Sequence, residues 1–263
     1  GFITNNITFT NKAGGVFNTD QELANFGTFE NSAGAILNNW GDILSPGLLI
    51  NSTGAIYNNN SEGMLGNSGS IQNNGTMNIH NGRMINSQGG TINNQGTLDF
   101  QLGKLYNGAL YDSGQNGKTG TLINDGSIQI SKRGSFINEK NGLIMGTGTI
   151  QGDINNFGVI NGGKSAGGHL IEGTLHHKQS GRIKIELGGS NDANRDRRKT
   201  EYDFIDITED LIIDGGKLDV SLIGDFRIQR GQEFIITRLG GELTGHYQGL
   251  KEGDSIGQFE SID

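Results

Sequence analysis

The densest acidic run in the sequence is Asp203, Asp206, Glu209 and Asp210, with Asp192 and Asp196 a short way upstream. Carboxylates this close could hold a hard cation or divide acid and base roles between them. No Asp-x-[Asp/Asn]-x-[Asp/Asn]-Gly loop and no Gly-Gly-x-Gly-x-Asp nonapeptide frames them. They read first as a charged loop leading into an edge strand with outward acids. Asp203, Asp206 and Asp210 are the weak candidate metal ligands, and the expectation is no metal and no cofactor.

The other reactive side chains stand alone. His176 and His177 are adjacent, so in a strand they face opposite ways and cannot share a metal. His80, His169 and His246 lack motif partners, and solvated or locally bonded imidazoles are expected. Ser165 has no strand–elbow–helix context and is not read as a nucleophile. Arg195, Asp196, Arg197, Arg198 and Lys199 read as an exposed, mobile insertion between strands, or more sharply as a processing site or a contact for an acidic partner. Trp40 and Tyr57 could stack on sugar, though Trp40 fills the variable place of an Asn-x-Gly corner and could simply cover a coil edge. No catalytic residue is expected, and the chain reads as a non-enzyme.

Composition narrows the partners. The net charge of −8 disfavours a nucleic-acid backbone. Absence of Cys removes disulfides, thiolate nucleophiles and Cys-ligated zinc. No apolar stretch reaches the length of a membrane span, and no signal peptide is visible. The start at Gly1 rather than Met is read as a processed or excised piece of a longer product.

The elements that would position these groups come from a repeat. A shift of 21 residues lays Ile71, Asn73, Gly75, Thr76, Met77, Ile79, Gly82, Met84 and Asn86 on Ile92, Asn94, Gly96, Thr97, Leu98, Phe100, Gly103, Leu105 and Asn107. A further copy fits Leu122, Asn124, Gly126, Ser127, Ile128 and Ile130, then slips by one to Gly134, Phe136 and Asn138. Weaker copies lie at Leu23–Phe29, Asn39–Ile43 and Ile154–Ile160. The unit is Φ-x-Asn-x-Gly-[Thr/Ser]-Φ-x-Φ, where Φ is apolar. Alternating apolar residues make a strand with one buried face, and Asn-x-Gly supplies a tight corner. A period near 20 implies stacked coils of about three short strands each, roughly eight coils over residues 1–163. Asn73, Asn94 and Asn124 precede the turn glycines Gly75, Gly96 and Gly126. They are expected to stack as an amide ladder, with a polar array for sugar or ice as the alternative. The glycines should have positive φ or sit where a side chain would clash.

Composition shifts near residue 160: residues 1–160 hold 27 Asn and 17 charged residues, residues 161–263 hold 3 and 31. The organisation predicted is an N-terminal strand segment at 1–20, Asn/Gly-rich solenoid repeats at 21–163 and a C-terminal β module at 164–263. Longer strands are expected there at Arg182–Leu187, Lys217–Leu222 and Glu233–Thr237. No stretch sustains a helical period before Gly interrupts it. The fold class predicted is all-β, a right-handed parallel β-helix with a C-terminal β-rich extension.

The repeats of residues 20–160 resemble the β-helical passengers of filamentous-haemagglutinin-like adhesins and autotransporters. Asn161–Gly167, Leu170–Gly173, Ile185–Gly189, Tyr202–Ile207, Gly215–Leu222 and Gly231–Ile236 follow an order similar to the C-terminal region of passenger and surface proteins of cyanobacteria and other Gram-negative bacteria. The departure is Gly162, where those proteins usually carry Pro. The resemblance implies a secreted or cell-surface protein. The function expected is an extracellular rod of a surface layer, sheath or filament. The alternative is an adhesin for carbohydrate or protein on another surface. Aromatic residues at 7% weigh against a dedicated sugar-stacking face. Phe2, Ile7 and Phe9 are the expected assembly knobs: the N-terminal strand would add to a neighbouring copy's sheet, end to end, or to other surface components.

Overall fold

The computed structural model describes residues 1–60, 62–108, 119–163, 166–256 and 261–262. Each Φ-x-Φ run becomes a short strand, commonly of four residues, and each Asn-x-Gly becomes the corner after it. The strands stack into three parallel sheets of 11, 10 and 9 strands. Sheet 1 begins with Phe2–Asn5, sheet 2 with Thr8–Asn11 and sheet 3 with Val16–Thr19. The chain visits the three in that order, coil after coil, so the molecule is an all-β parallel solenoid.

Register follows the repeat. Ile71 pairs with Ile92, Met77 with Leu98 and Met84 with Leu105, and the next coil brings Leu122, Ile128 and Phe136 to the same places. Inward positions stack into one apolar core. Ile71, Met77, Ile79, Ile92, Leu98, Phe100, Leu122, Ile128 and Ile130 are all buried in it.

The segment boundaries read from composition do not divide the sheets. Residues 1–20 form the first coil, with Phe2 paired to Glu22, Thr8 to Thr28 and Val16 to Ile36. Across residue 163, Ile154 pairs with Leu175 and Val159 with Arg182. The solenoid therefore continues to Lys217–Leu222 in sheet 2 and Leu243–His246 in sheet 1. What changes is the outward face: charge replaces Asn and Thr, and the strands Arg182–Leu187 and Lys217–Leu222 lengthen to six residues.

Glu233–Thr237, expected as a strand, is not one. Its chain runs along the edge of sheet 3, where Ile236 and Arg238 carbonyls accept from Ile205 and Ile207 N–H at 2.9 Å. It covers that edge without forming a regular ladder. The described residues hold a single helical turn, the 3-10 turn Ala193–Arg195, and its φ angles of 48°, 55° and 64° are left-handed.

Candidate functional site

Three places were candidates: the corner asparagines, the acidic run and the N-terminal end. At the corners the chain turns its carbonyls inward, and an apolar core would leave them unbonded. Asn at the last position of each strand supplies the donor. Asn73 Nδ2 donates to Asn94 Oδ1 at 2.8 Å and to the Thr97 carbonyl at 2.9 Å. Asn94 does the same to Asn124 Oδ1 at 2.8 Å and the Ser127 carbonyl at 3.1 Å. In sheet 2 the ladder runs Asn11, Asn31, Asn51, Asn73, Asn94, Asn124. Sheet 1 carries Asn67, Asn86, Asn107, Asn138 and Asn156, and ends where Asn156 meets Nδ1 of His177 at 3.0 Å. Rungs lie 20 to 22 residues apart in most coils, and 30 across the insertion after Gly108. These asparagines are buried. They close the corners and leave no ligand face.

Gly75, Gly96 and Gly126 take ordinary negative φ; what demands glycine is close approach. A Cβ on Gly96 would fall on the Gly75 carbonyl oxygen, and one on Gly126 on the Gly96 carbonyl. At Gly75 the obstacles are the Ala55 and Ser52 carbonyls.

An outer Asn ladder stands on the outside of sheet 3. Asn38, Asn58 and Asn78 each donate to the preceding coil's Oδ1, from Asn58 to Asn38 at 2.8 Å for example. Its amides bond to one another, as do those inside.

The acidic run does not converge. Asp203 is fully buried, and its two oxygens accept from the N–H of Gly167 at 2.8 Å and Glu186 at 3.0 Å. Burial pushes its carboxyl up to about 7. A Cβ at Gly162 would meet Asp203 Cβ at 2.5 Å, so the departure from Pro goes with this close approach. Asp206 is instead engaged by the Arg195 guanidinium, which also donates to the Ile235 carbonyl at 2.6 Å and lies 3.6 Å over the Phe204 ring. Asp210 accepts from Glu242 N–H at 2.8 Å. Among the described residues no three His, Asp or Glu side chains gather to hold a metal.

The basic run is docked rather than mobile. Arg197 donates to the Gly148 carbonyl at 2.6 Å and to Thr149 Oγ1 at 3.0 Å, and Arg198 reaches the Asp125 carbonyl at 3.3 Å. These bonds fix the loop on sheet 3 and hold the left-handed turn, which costs about 1–2 kcal/mol per residue. Lys199 stays exposed.

His169 and His177 are buried, and burial lowers both to about 4. His177 extends the amide ladder, while neither ring nitrogen of His169 makes a side-chain hydrogen bond of normal geometry. Of the expected solvated or locally bonded imidazoles, His177 is the bonded kind, held by Asn156, whereas His169 is buried without a side-chain partner. Tyr57 likewise fills the core instead of offering a face to sugar, and its burial pushes the phenol up. Trp40 is about half exposed, and its backbone N–H donates to the Thr19 carbonyl. Ser165 lies outside the described residues.

At the N-terminal end, Phe2, Ile7 and Phe9 are exposed by 60%, 76% and 38%. Their roles differ. Phe9 points into the core and stacks on Phe29 at 4.9 Å, whereas Phe2 and Ile7 look outward. Phe17, which the sequence reading missed, completes the cluster at 5.1 Å from Phe9. A depression of about 300 Å³ opens there, lined by Ile3, Asn5, Phe9, Phe17, Leu23 and Phe29. A second hollow, on the outer face of sheet 1, is formed by Phe2, Phe26, Leu44, Pro46 and Gly66.

Comparison of the chain with protein-family models, with curated proteins and with solved structures returns no match.

Proposed function

We propose that this protein is a structural rod of a bacterial surface, secreted and built into a layer, sheath or filament. Its N-terminal end is the contact with a neighbour, either another copy joined end to end or another surface component. One observation carries this reading. Through its repeat coils the solenoid is stapled by buried, uncharged amide ladders, and its first coil presents Ile3 and Phe9 to solvent. Strand edges with unmade N–H and C=O groups beside an apolar surface are a template for added β-structure.

The chemistry found elsewhere fits the non-enzymatic reading. Asp203, Asp206 and Asp210 are each engaged by backbone N–H or by arginine. A second reading, an adhesin, is favoured by the hollow around Phe26, Leu44 and Pro46, which offers apolar side chains on an outer face.

Electron microscopy over a concentration series tests the proposal, with a variant lacking Gly1–Asn11. Rods that lengthen or associate with concentration, and that stay single in the truncated variant, are the expected result. Unchanged assembly after truncation sinks the role of this end. A chain that never associates, alone or with surface extracts, sinks the structural reading.

A further inference from the structure

The flank of the rod carries cations that nothing in the fold uses. In sheet 1 the strands Met64–Asn67, Arg83–Asn86, Lys104–Asn107 and Ser135–Asn138 lie in successive coils, each paired to the next. Arg83 and Lys104 stand opposite each other in that register, and both are exposed. Among the described residues neither side chain has an ion pair or hydrogen-bond partner. Cations of the later coils differ: Lys178, Arg182, Arg195 and Arg238 each meet a carboxylate. Like charges directly opposite on neighbouring strands are unfavourable, and an anion held between them reverses the sign.

Two residues along each strand, Ile85, Tyr106 and Ile137 form the next outward column. Two open hollows share Arg83 and Tyr106. One, of about 450 Å³, has Ile85 and Glu139 in its walls; the other, of about 330 Å³, has Glu62, Leu102 and Lys104. Tyr106 is half-buried, so its ring is held in place while part of it stays open to a ligand. The surroundings narrow what that ligand is. Both edges of the strands carrying Arg83 and Lys104 are already paired, so an extended peptide finds no free backbone N–H or C=O to add to. Each hollow also holds one acid, Glu62 or Glu139, which with the net charge of −8 opposes a densely charged phosphate polymer. A polymer with one carboxylate on each sugar ring meets neither obstacle. The apolar face of its ring suits Tyr106, and its carboxylate accepts the forked N–H donors of arginine.

We infer that the outer face of sheet 1 around Arg83, Lys104 and Tyr106 binds a carboxylated polysaccharide, with a sugar ring on Tyr106 and its carboxylate shared by the two cations. Recognition here needs one ring between two charges, not a row of aromatic residues. The face lies on coils in the middle of the solenoid, so it stands independently of how either end of the rod behaves.

Titration calorimetry on the full-length chain tests this. The probes are short oligomers of galacturonate, mannuronate and hyaluronan, which share ring carboxylates and carry no sulfate. Methyl-esterified galacturonate keeps the rings without the charge, and oligoglutamate keeps the charge without the rings. At least one uronate oligomer should bind the parent, more weakly as salt is added, and the esterified oligomer should not. Arg83→Gln with Lys104→Gln should weaken binding by about tenfold or more. Tyr106→Ala should weaken it by about tenfold, and Tyr106→Phe should keep it. Lys12→Gln with Lys251→Gln removes as much charge elsewhere and should change little. Thermal midpoints are read on the same samples. The Arg83 and Lys104 double variant relieves a like-charge pair, so its midpoint should hold or rise, which separates lost binding from lost folding. The inference is overturned if no uronate oligomer binds the parent, or if the esterified oligomer binds equally well. Equal affinity for oligoglutamate, or an equal loss in the Lys12 and Lys251 variant, overturns it in favour of diffuse charge attraction. Assembly in the electron micrographs is scored separately, so the rod reading and this site can fail independently.

Discussion

At the N-terminal end of the solenoid, Ile3 and Phe9 are exposed and Phe17 is half-buried at the top of the core, and Asn5 and Asn11 are each 8% exposed where later rungs are fully buried. At the C-terminal end aromatic residues beyond Leu222 pack against the last coils, while the final strand of sheet 1, Leu243–His246, is exposed. Phe226 and Phe234 pack edge to face at 6.1 Å, Phe234 packs on Tyr202 at 5.3 Å, and Tyr247 covers His177 at 5.5 Å. Tyr247 is itself partly buried, and burial pushes its phenol up. Both ends are built on the same strand spacing. The difference teaches that the late coils are covered by residues outside the repeat, by aromatic side chains and by loops pinned by arginine, whereas the first coil has no such cover among the described residues.

The largest expected effect contrasts the middle of a ladder with its first rung. Asn94→Leu removes two donated bonds and the acceptor for Asn73, all fully buried. It should cost about 3–5 kcal/mol, because each unmade buried partner costs about 1–3 kcal/mol. Asn5→Leu, beside water, should cost about 1 kcal/mol. Urea unfolding of both variants checks this, and equal costs would mean that the first rung is as enclosed as the fifth.

Arg195→Ala attacks the covered end. The guanidinium joins Asp206, the Ile235 carbonyl and the Phe204 ring, so its loss leaves the Ile235 carbonyl without its donor and the Asp206 carboxylate with only the Arg238 N–H. A loss of about 2–4 kcal/mol is expected, with faster proteolysis of residues 233–239. An unchanged cleavage rate there would show that the cover is held by its aromatic residues alone.

Gly96→Val brings the contrast down to one corner. A Cβ there falls on the Gly75 carbonyl, and the expected cost is about 1–3 kcal/mol by thermal or urea unfolding. A cost near zero would show that the stacked corners are not where the coils touch.

Acidity separates the C-terminal coils from the repeats. Asp203 is held near 7 in the fold against an ordinary 3.8, so the stability it contributes is present below about 4 and is lost as pH rises through 7. His169 and His177, near 4 against 6.5, act the other way: stability falls as pH drops from 6.5 toward 4. Thermal midpoints of the parent should therefore peak between these influences, near pH 6.5, and decline slightly toward 7. In Asp203→Asn the decline should vanish and the rise from pH 4 should steepen. Identical profiles would mean that Asp203 is ionised in the folded protein.

The repeat was legible because three signals coincide in it: period-2 apolar residues, corner glycine and an invariant place for Asn. Register could be written down from Asn73, Asn94 and Asn124 before any coordinates. The first coil was less legible. Thr8-Phe9-Thr10-Asn11 anticipates Thr28-Phe29-Glu30-Asn31, yet its corner lacks the Asn-x-Gly that flags later coils. Beyond residue 163 the strands were visible, but what each polar side chain does was not. Asp203, Asp206 and Asp210 look alike in sequence. Their separate partners, the Gly167 and Glu186 N–H, Arg195 and the Glu242 N–H, come from chain segments brought together only by folding. Docking of Arg197 and Arg198 on sheet 3 was hidden for the same reason, since their acceptors are backbone carbonyls dozens of residues away.

Native-state hydrogen exchange along the whole chain tests the difference between the ends most directly. Uncovered strands open locally at low cost, and covered ones open only with the fold. The prediction is that strand amides of Phe2–Thr19 exchange first and protection climbs through the following coils. Amides of Phe204–Ile207 and Leu211–Ile213 should be slower than the first coil by at least about tenfold. Equal protection at both ends, or opening that begins at Phe204–Ile213, would contradict an open N-terminal end and a closed C-terminal one.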